Sequence, residues 1–285
     1  MSTADIQRQY DHVIAAHYDR DPQGITCRTL DRALEHLAAQ RLLAAEPPHE
    51  LYDAGGGATP LQVLDLGVGT GLFLEKLRDA CQRPVQPYGL DISAEMVEIA
   101  RGRIPELVVA VDDAAHAGEH FIDMPFDLVC THFITGFVPL AHLTPLVHEK
   151  LAAGGHWSFV GATSAAYPEL QRKADSPVVK RMFGGASLGT DQLLTPADLD
   201  DVTRILTDHG FTICQAELFR PRLNFENFDS FMEFAYWGGW LTPFIEKLGL
   251  HEASRTVRGL LNALIFPIQD HHEIAVVLAK KPAAP

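Results

Sequence analysis

Short apolar runs recur along the chain, and several of them are followed directly by glycine, proline or an acidic residue. Runs of this length are too short for a helix, so they predict buried strands. Between them, apolar residues at helical spacing predict helices, as in residues 72–77 directly after the first run. The predicted strands are 63–66, 88–93, 108–111, 126–130, 156–160, 211–220 and 273–279.

Capping signals predict where several helices begin. Thr29 is expected to cap a helix in the N-terminal region. Thr144 and Thr195 are each followed by proline, and this pair favours the start of a helix. Asp229 is expected to cap an aromatic helix, and Thr242, also followed by proline, is expected to start the next one.

Three glycines follow the first predicted strand at alternate positions, Gly67, Gly69 and Gly71. Glycine permits positive φ and lets a ligand lie directly on the main chain. The helix that follows would point free N–H groups at such a ligand. The alternative, a tight turn without a ligand, needs fewer glycines. A dinucleotide-binding turn requires its third glycine at the position of Leu72, so the spacing argues against that ligand.

An acidic residue, Asp91, ends the second predicted strand. A carboxylate at this point can accept two charge-assisted hydrogen bonds from a ribose diol. Ser93 can cap the next helix, on which Met96 would face back over the strand ends. The alternative is that Asp91 serves only as a helix cap.

These two motifs resemble the cofactor-binding segments of class I S-adenosylmethionine (SAM) methyltransferases. The first is G-x-G-x-G after a strand that contains Asp65, and the second is the acid, apolar, Ser, x, x, Met pattern that begins at Asp91. The resemblance covers residues 60–160 by motif. Residues 195–220 and 271–280 match only in the order of their elements.

The resemblance implies an α/β fold built on a doubly wound, seven-stranded, mostly parallel sheet. It also implies an N-terminal helical cover and helical lid insertions, with the final strand antiparallel beside the fifth. The expected regions are a cover (1–58), a Rossmann-like SAM-binding core (59–162), an insertion (163–194), a continuation of the core (195–223), a helical lid (224–268), and the final strand with its tail (269–285).

The same resemblance implies which residues bind the cofactor. They are Tyr18, Asp65, Gly67, Gly69, Thr70, Gly71, Asp91, Ile92, Met96, Asp113, Ala114 and Thr131. Ile92 and Met96 would enclose the adenine. Asp113 would accept a hydrogen bond from the adenine amino group, with Asp112 as the alternative. Tyr18 would close over the methionine part or, as an alternative, only pack a helix against the sheet.

His132 leaves the carboxyl end of the fourth predicted strand, at the edge where ligands gather in open α/β sheets. By the resemblance, residues at this point line the sulfonium and the transferred methyl. A neutral imidazole there could take a proton from a hydroxyl or amine, so His132 is the candidate catalytic residue. The alternative is that His132 only hydrogen-bonds the cofactor or the backbone.

Composition narrows the class of partner. The net charge of −14, from 23 basic and 37 acidic residues, argues against nucleic acid. Four scattered cysteines without a C-x-x-C pair predict neither a metal site nor a disulfide framework, as is typical of a cytoplasmic protein. No signal-peptide pattern opens the sequence, and no apolar run is long enough for a membrane span. The oligomeric state is left open, with a homodimer as one option.

The sequence therefore predicts a SAM-dependent methyltransferase that acts on a small molecule, most favourably at oxygen and without a metal. A carboxylate acceptor would need a cationic partner, for which Arg220 and Arg222 are available. The alternatives are N- or C-methylation of a small metabolite, a nicotinamide-dependent oxidoreductase, a non-catalytic SAM-binding protein, and a nucleic-acid methyltransferase.

Overall fold

A seven-stranded sheet forms the centre of the computed structural model, which describes residues 3–45, 59–182 and 194–283. Its strand order is β3-β2-β1-β4-β5-β9-β6. The strands are β1 Leu61–Leu66, β2 Val85–Asp91, β3 Val108–Val111, β4 Phe126–His132, β5 Leu151–Ala162, β6 Thr212–Phe219 and β9 Ile274–Lys280. The pairs among β1 to β5 are parallel, and β9 is antiparallel to both β5 and β6. The predicted fold class is confirmed.

Eleven α-helices are present in the described residues. They are α1 Thr3–Gln9, α2 Ile25–Ala39, α3 Leu72–Ala80, α4 Ala94–Arg103, α5 Leu140–Lys150, α6 Pro168–Ala174, α7 Pro177–Met182, α8 Leu199–Asp208, α9 Phe228–Met232, α10 Thr242–Lys247 and α11 Arg255–Leu264. Short π segments (Tyr10–Ile14, Glu233–Trp237) and 3₁₀ turns (Tyr18–Arg20, Ala114–Glu119, Leu250–Glu252) complete the helical parts.

Both faces of the sheet are buried, because helices cover each of them. On β9, Ile274 and Val276 belong to one apolar cluster, while Ala275 and Val277 belong to the other. This alternation follows from the two-residue period of a strand. Helices α2, α3 and the lid helices α9–α11 pack into the first cluster, and α5 and α8 pack into the second. The result is a three-layer arrangement in which the strand ends remain free for a site.

The N-terminal helix α2 begins earlier than the capping signal at Thr29 predicts. Its N-cap residue is Gly24, and the carboxylate of Asp21 accepts hydrogen bonds from the backbone N–H groups of Ile25 (2.8 Å) and Cys27 (2.9 Å). Thr29 lies inside the helix and donates its hydroxyl to the carbonyl of Ile25 at 2.7 Å. The prediction was wrong because an acid several residues upstream satisfies the first N–H groups.

Two further helix starts differ from the prediction, and one agrees with it. Helix α5 begins at Leu140 and contains Pro145 in its interior, while Thr144 donates its hydroxyl to the carbonyl of Leu140 at 2.7 Å. Helix α8 begins after Asp198, whose carboxylate accepts from the N–H of Asp201 at 2.8 Å. The predicted start at Thr242 is confirmed by α10.

A second, two-stranded sheet, which the sequence did not predict, joins the two ends of the predicted lid segment (224–268). Strand β7 (Arg222–Phe225) pairs antiparallel with β8 (Ile268–His271), and α9, α10 and α11 lie between them in sequence. Helix α9 is capped by Asn227 through a capping box with Ser230, rather than by Asp229. The predicted insertion contains α6 and α7, while its residues 183–193 lie outside the described residues. Two prolines and three glycines predict a loop at residues 46–60, of which 46–58 also lie outside the described residues.

Candidate active site

A cavity lies at the carboxyl ends of β1, β2 and β4, with about 870 Å³ of empty space. We call it the glycine-loop cavity. Nine of the residues that the sequence assigned to the site line it: Tyr18, Gly67, Gly69, Asp91, Ile92, Met96, Asp113, Ala114 and His132. This edge is where ligands bind in open α/β sheets.

Each of the three positions in the turn requires glycine for a different structural reason. All three have positive φ: 81° at Gly67, 54° at Gly69 and 78° at Gly71. A Cβ on Gly69 would meet no atom within 4 Å, so the backbone is bare toward the cavity there. A Cβ on Gly67 would lie 2.3 Å from Cγ2 of Ile134. Gly71 does not line the cavity; a Cβ there would lie 3.3 Å from Ala100, so this glycine lets α3 approach α4.

Asp91 presents a buried carboxylate to the glycine-loop cavity. Its Oδ2 accepts from the N–H of Gly69 at 2.8 Å, and its Oδ1 accepts from the N–H of Ser93 at 2.9 Å. Burial raises the pKa of Asp91 to about 6, while the hydrogen bonds from Ser93 and Gly69 oppose that rise. Each oxygen keeps acceptor capacity, so the carboxylate can still accept hydrogen bonds from a diol.

The two acids after β3 have separate surroundings. Asp112 bonds Nδ1 of His116 at 2.9 Å and Nε2 of His120 at 2.7 Å, and these contacts lower its pKa to about 2. Asp113 accepts from the N–H of Ala115 at 2.9 Å and lines the glycine-loop cavity. Of the two alternatives, only Asp113 is in reach of a ligand in that cavity.

A second cavity, with about 750 Å³ of empty space, adjoins the first. We call it the aromatic cavity. The two cavities share four wall residues: Tyr10, Tyr18, Phe133 and Phe137. The rest of its wall consists of Thr135, Gly136, residues at and after the end of β5, Thr195, residues Gly238 to Trp240, and His272. Among the described residues that line it, no Arg, Lys, Asp or Glu is present.

Comparison with known proteins assigns the core. A family model described as "Methyltransferase domain" matches residues 63–155, which span β1 to β5 and the glycine turn. Residues 63–155 form a class I SAM-dependent methyltransferase domain. This domain uses SAM as its cofactor, which argues against the nicotinamide oxidoreductase alternative.

Solved structures share the fold of the methyltransferase at low sequence identity. A proposed methyltransferase from Bacillus halodurans has 14% identity and a TM-score of 0.56, covering 89% of this chain and 99% of that one. The YcgJ protein from Bacillus subtilis has 17% identity and a TM-score of 0.53, covering 90% and 99%. A proposed sarcosine dimethylglycine methyltransferase from Galdieria sulphuraria has 12% identity and a TM-score of 0.52, covering 98% of both chains. A comparison with curated protein sequences found no significant match.

Four predicted cofactor residues of the methyltransferase do not line the glycine-loop cavity: Asp65, Thr70, Gly71 and Thr131. Asp65 is 2% exposed, its Oδ1 has no hydrogen-bond partner among the described residues, and burial beside Asp91 raises its pKa well above the ordinary value. Thr131 accepts from Nε1 of Trp157 at 2.8 Å. Both side chains lie beneath the site, within the sheet.

Thr70 instead joins the glycine turn to the N-terminal cover. Its Oγ1 donates to Oδ1 of Asp19 at 2.7 Å, and Nη2 of Arg103 donates to Oδ2 of the same carboxylate at 2.6 Å. A second link is made by Oγ of Ser93, which donates to Asp11 at 2.6 Å. These contacts hold the cover against the start of α3 and both ends of α4. They bring Tyr10 and Tyr18 to the boundary of the two cavities.

His132 lines the glycine-loop cavity and not the aromatic cavity. It is 8% exposed, its Nε2 lies 3.0 Å from Oγ of Ser158, and its ring meets Phe73 edge-on with centroids 4.2 Å apart. Its Nδ1 has no hydrogen-bond partner among the described residues. Burial lowers the pKa of His132 to about 3, so the imidazole is neutral at physiological pH.

A second buried imidazole, His272, lines the aromatic cavity, and sequence reasoning did not assign it to the site. It stacks on Tyr167 with ring centroids 4.6 Å apart and planes 12° apart, and its Nε2 lies 3.4 Å from the Tyr167 hydroxyl. Its Nδ1 has no partner among the described residues, and burial lowers its pKa to about 3. The local sequence shows only a His–His pair before a strand, which carries no signal of its surroundings.

The two arginines considered for a carboxylate acceptor lie elsewhere. Arg220 donates through Nε to Oε2 of Glu273 at 2.7 Å, and both Arg220 and Arg222 line a separate surface groove. Neither lines the aromatic cavity.

Among the described residues, no group of three or more His, Cys, Asp or Glu is arranged to hold a metal ion, and no helix is both long and apolar enough to cross a bilayer.

Proposed function

We propose that the protein transfers the methyl group of SAM to a hydroxyl oxygen of a small, uncharged molecule bound in the aromatic cavity. The observation that carries this proposal is the pair of adjoining cavities with four common walls, Tyr10, Tyr18, Phe133 and Phe137. One cavity carries the glycine turn and a buried carboxylate, and the other has no charged side chain among its described lining residues and offers a neutral imidazole. A methyl donor and an acceptor bound on either side of those walls would meet at the boundary.

The glycine-loop cavity offers chemically suitable partners for each part of SAM. The Asp91 carboxylate would accept hydrogen bonds from the ribose diol. Ile92 and Met96 would enclose the adenine, and Asp113 with Ala114 would take its polar edge. The bare backbone at Gly69 gives room for the amino-acid part. When bound, SAM supplies a methyl carbon on a sulfonium, which is a good leaving group, so the protein needs mainly to align the acceptor and exclude water.

The lining of the aromatic cavity favours an uncharged acceptor. No charged side chain is among its described lining residues, and a buried charge without a partner is unfavourable. This argues for a hydroxyl rather than a carboxylate, and against nucleic acid. The aromatic walls are suited to a flat, apolar molecule.

The two buried imidazoles would have different roles in this reaction. His132 remains the candidate that faces the transferred methyl, where its unpartnered Nδ1 can orient the reacting groups. His272 is the candidate that takes the proton from the acceptor hydroxyl, because it lines the acceptor side. An imidazole whose pKa is near 3 is a weak base, so the acceptor hydroxyl should be acidic, as in a phenol or an enol.

The experiment is a methyl-transfer assay with methyl-labelled SAM and a panel of small acceptors. The panel contains phenols and enols, matched aliphatic alcohols, amines and carboxylic acids, and a short RNA. Label that enters phenols or enols in preference to the other classes supports the proposal. Label that enters only carboxylates, amines or RNA would contradict it. S-adenosylhomocysteine (SAH) binding by calorimetry reports separately whether the cofactor site is intact.

A further inference from the structure

A third cavity lies between α6 and the helices α9 to α11, with about 740 Å³ of empty space that is partly open to solvent. We call it the lid cavity. Helix α6 forms one side, and α9, α10 and α11 with the segments around them form the other. Its walls include Phe228, Phe231, Leu241, Phe244, Leu261 and Ile265. Among the described residues that line it, no charged side chain is present.

The two polar side chains of the lid cavity are already engaged. Gln171 donates its amide to the backbone carbonyl of Ala166 at 2.6 Å. The hydroxyl of Tyr167 lies 3.4 Å from Nε2 of His272. The surface that remains is aliphatic and aromatic. Protein interiors are otherwise close-packed, and apolar cavities hold water poorly, so this space is suited to an apolar group.

Tyr167 is a wall of both the lid cavity and the aromatic cavity. His272, which stacks on this ring, lines the aromatic cavity and not the lid cavity, while Phe228 and Leu261 line the lid cavity and not the aromatic cavity. A ligand in the aromatic cavity is therefore one side chain away from the lid cavity. A molecule with a polar end and an extended apolar end could occupy both.

We propose that the lid cavity binds a hydrocarbon portion of the methyl acceptor. The acceptor is then amphipathic: a nucleophilic hydroxyl lies in the aromatic cavity, and an uncharged alkyl or aryl tail passes Tyr167 into the lid. This inference rests on the proposed function, because it assigns the tail to the molecule that is methylated.

Helix α11, which lies over the lid cavity, is held in a way that favours entry of a small tail over docking of a partner protein. Of the residues of α11, Leu261 alone is buried. The helix is held by Asn262, whose Oδ1 accepts from the N–H of Phe228 at 2.7 Å, and by an exposed ion pair of Arg258 with Asp229 at 3.3 Å. So few buried contacts allow local opening, whereas a partner helix would have to displace α11 entirely.

The test compares Leu261→Trp, which fills the lid cavity, with Leu260→Trp, which adds the same side chain at a position that is 43% exposed on the same helix. The probe is N-phenylnaphthylamine, an uncharged dye that fluoresces in apolar sites. Wild type and Leu260→Trp should bind it with the same affinity, and Leu261→Trp should bind it at least tenfold more weakly. SAH affinity should be equal in all three proteins. Ile265→Phe serves as the second filling variant if Leu261→Trp does not fold.

A series of alkylphenols links the cavity to the acceptor. Each added methylene should lower the KM of wild type by about fourfold until the cavity is full, as expected for burial of a CH₂ group. In Leu261→Trp the KM should no longer fall as methylenes are added. Dye binding that does not respond to either filling variant, or a KM that is independent of chain length, would overturn the inference. Normal dye binding without SAH binding would instead mean that the proposed function fails, and with it the assignment of the tail to a methyl acceptor.

Discussion

Thr70 Oγ1 donates a 2.7 Å hydrogen bond to Asp19 Oδ1, and this bond ties the glycine turn to the N-terminal cover. Arg103 completes the contact by donating to both residues, at 3.2 Å to Thr70 and at 2.6 Å to Asp19. We infer that Thr70 acts on the cofactor site through the cover, whereas the resemblance to methyltransferases implied direct contact with SAM. The cover carries Tyr10 and Tyr18, so its position determines how well the site is enclosed.

Replacing Thr70 by valine should loosen this enclosure without changing the cavity wall. One hydrogen bond contributes about 1 kcal/mol, so we expect SAH affinity to fall by about fivefold and dissociation to become faster. Calorimetry and stopped-flow measurements test this. Thr207→Val, at an exposed position near the end of α8, is the matched control and should bind SAH as wild type does. An unchanged dissociation rate in Thr70→Val would show that the contact does not hold the cover closed.

Whether the sequence predicts a feature depends on how far apart in the chain the residues lie that produce it. The glycine turn, Asp91 and the positions of the strands along the chain follow from local motifs and hydrophobic periodicity, which a sequence displays directly. The seven-stranded, mostly parallel sheet was implied by the resemblance to methyltransferases. The contact of Thr70 with Asp19 spans 51 residues, and no local pattern specifies it. The same holds for His272, whose surroundings come from Tyr167 and Trp240 in distant segments.

Helix starts show a similar limit at short range. At Thr29 and Thr195 the residue type favours a cap, but acids nearby, Asp21 and Asp198, provide the carboxylates that the first N–H groups use. Several competent caps lie within a few residues of each other, and tertiary packing selects among them. The short sheet of β7 and β8 was missed because both four-residue strands contain polar residues, and so lack the unbroken apolar run that predicted β3.

Cofactor affinity should depend on pH through Asp91. Burial raises the pKa of Asp91 to about 6, so the carboxylate is ionised above that pH and protonated below it. The ribose diol is held better by the ionised form, because charge-assisted hydrogen bonds are stronger. SAH affinity should thus be constant above about pH 7 and fall as pH drops through 6. Asp91→Asn should bind SAH at least tenfold more weakly at pH 7.5 and lack this pH dependence. A wild-type affinity that is flat between pH 5 and 8 would refute the role of Asp91.

Substitutions at Gly69 and Gly71 should have different effects on SAH binding and on thermal stability. Gly69→Ala places a methyl group into the glycine-loop cavity and adds a left-handed strain of about 1–2 kcal/mol, so SAH binding should be lost in a protein that remains folded. Gly71→Ala instead presses on Ala100 in α4 and should lower the melting temperature more strongly than Gly69→Ala. Gly102→Ala, where a Cβ meets nothing within 4 Å, is the control for both. Normal SAH binding by Gly69→Ala would mean that the ligand does not lie on this turn.

The two histidines should respond differently to replacement by phenylalanine, which keeps a ring and removes both nitrogens. His272→Phe should retain its stack on Tyr167, bind SAH normally, and lose about 10²–10⁴-fold in turnover. His132→Phe should also weaken SAH binding, because this ring lines the glycine-loop cavity. Burial lowers the pKa of both histidines to about 3, so neither should produce an inflection near pH 6.5 in the turnover of wild type. Near-normal turnover of His272→Phe would remove it as the proton acceptor.

A crystal structure of the complex with SAH would show whether the two adjoining cavities bind donor and acceptor as proposed. We expect ribose hydroxyls on the Asp91 carboxylate, adenine between Ile92 and Met96 with its amino group toward Asp113, and the sulfur at the boundary formed by Tyr18 and Phe133. The sulfur should face the aromatic cavity, where His272 lies. Ribose bound away from Asp91, or a sulfur that points away from the aromatic cavity, would contradict the account.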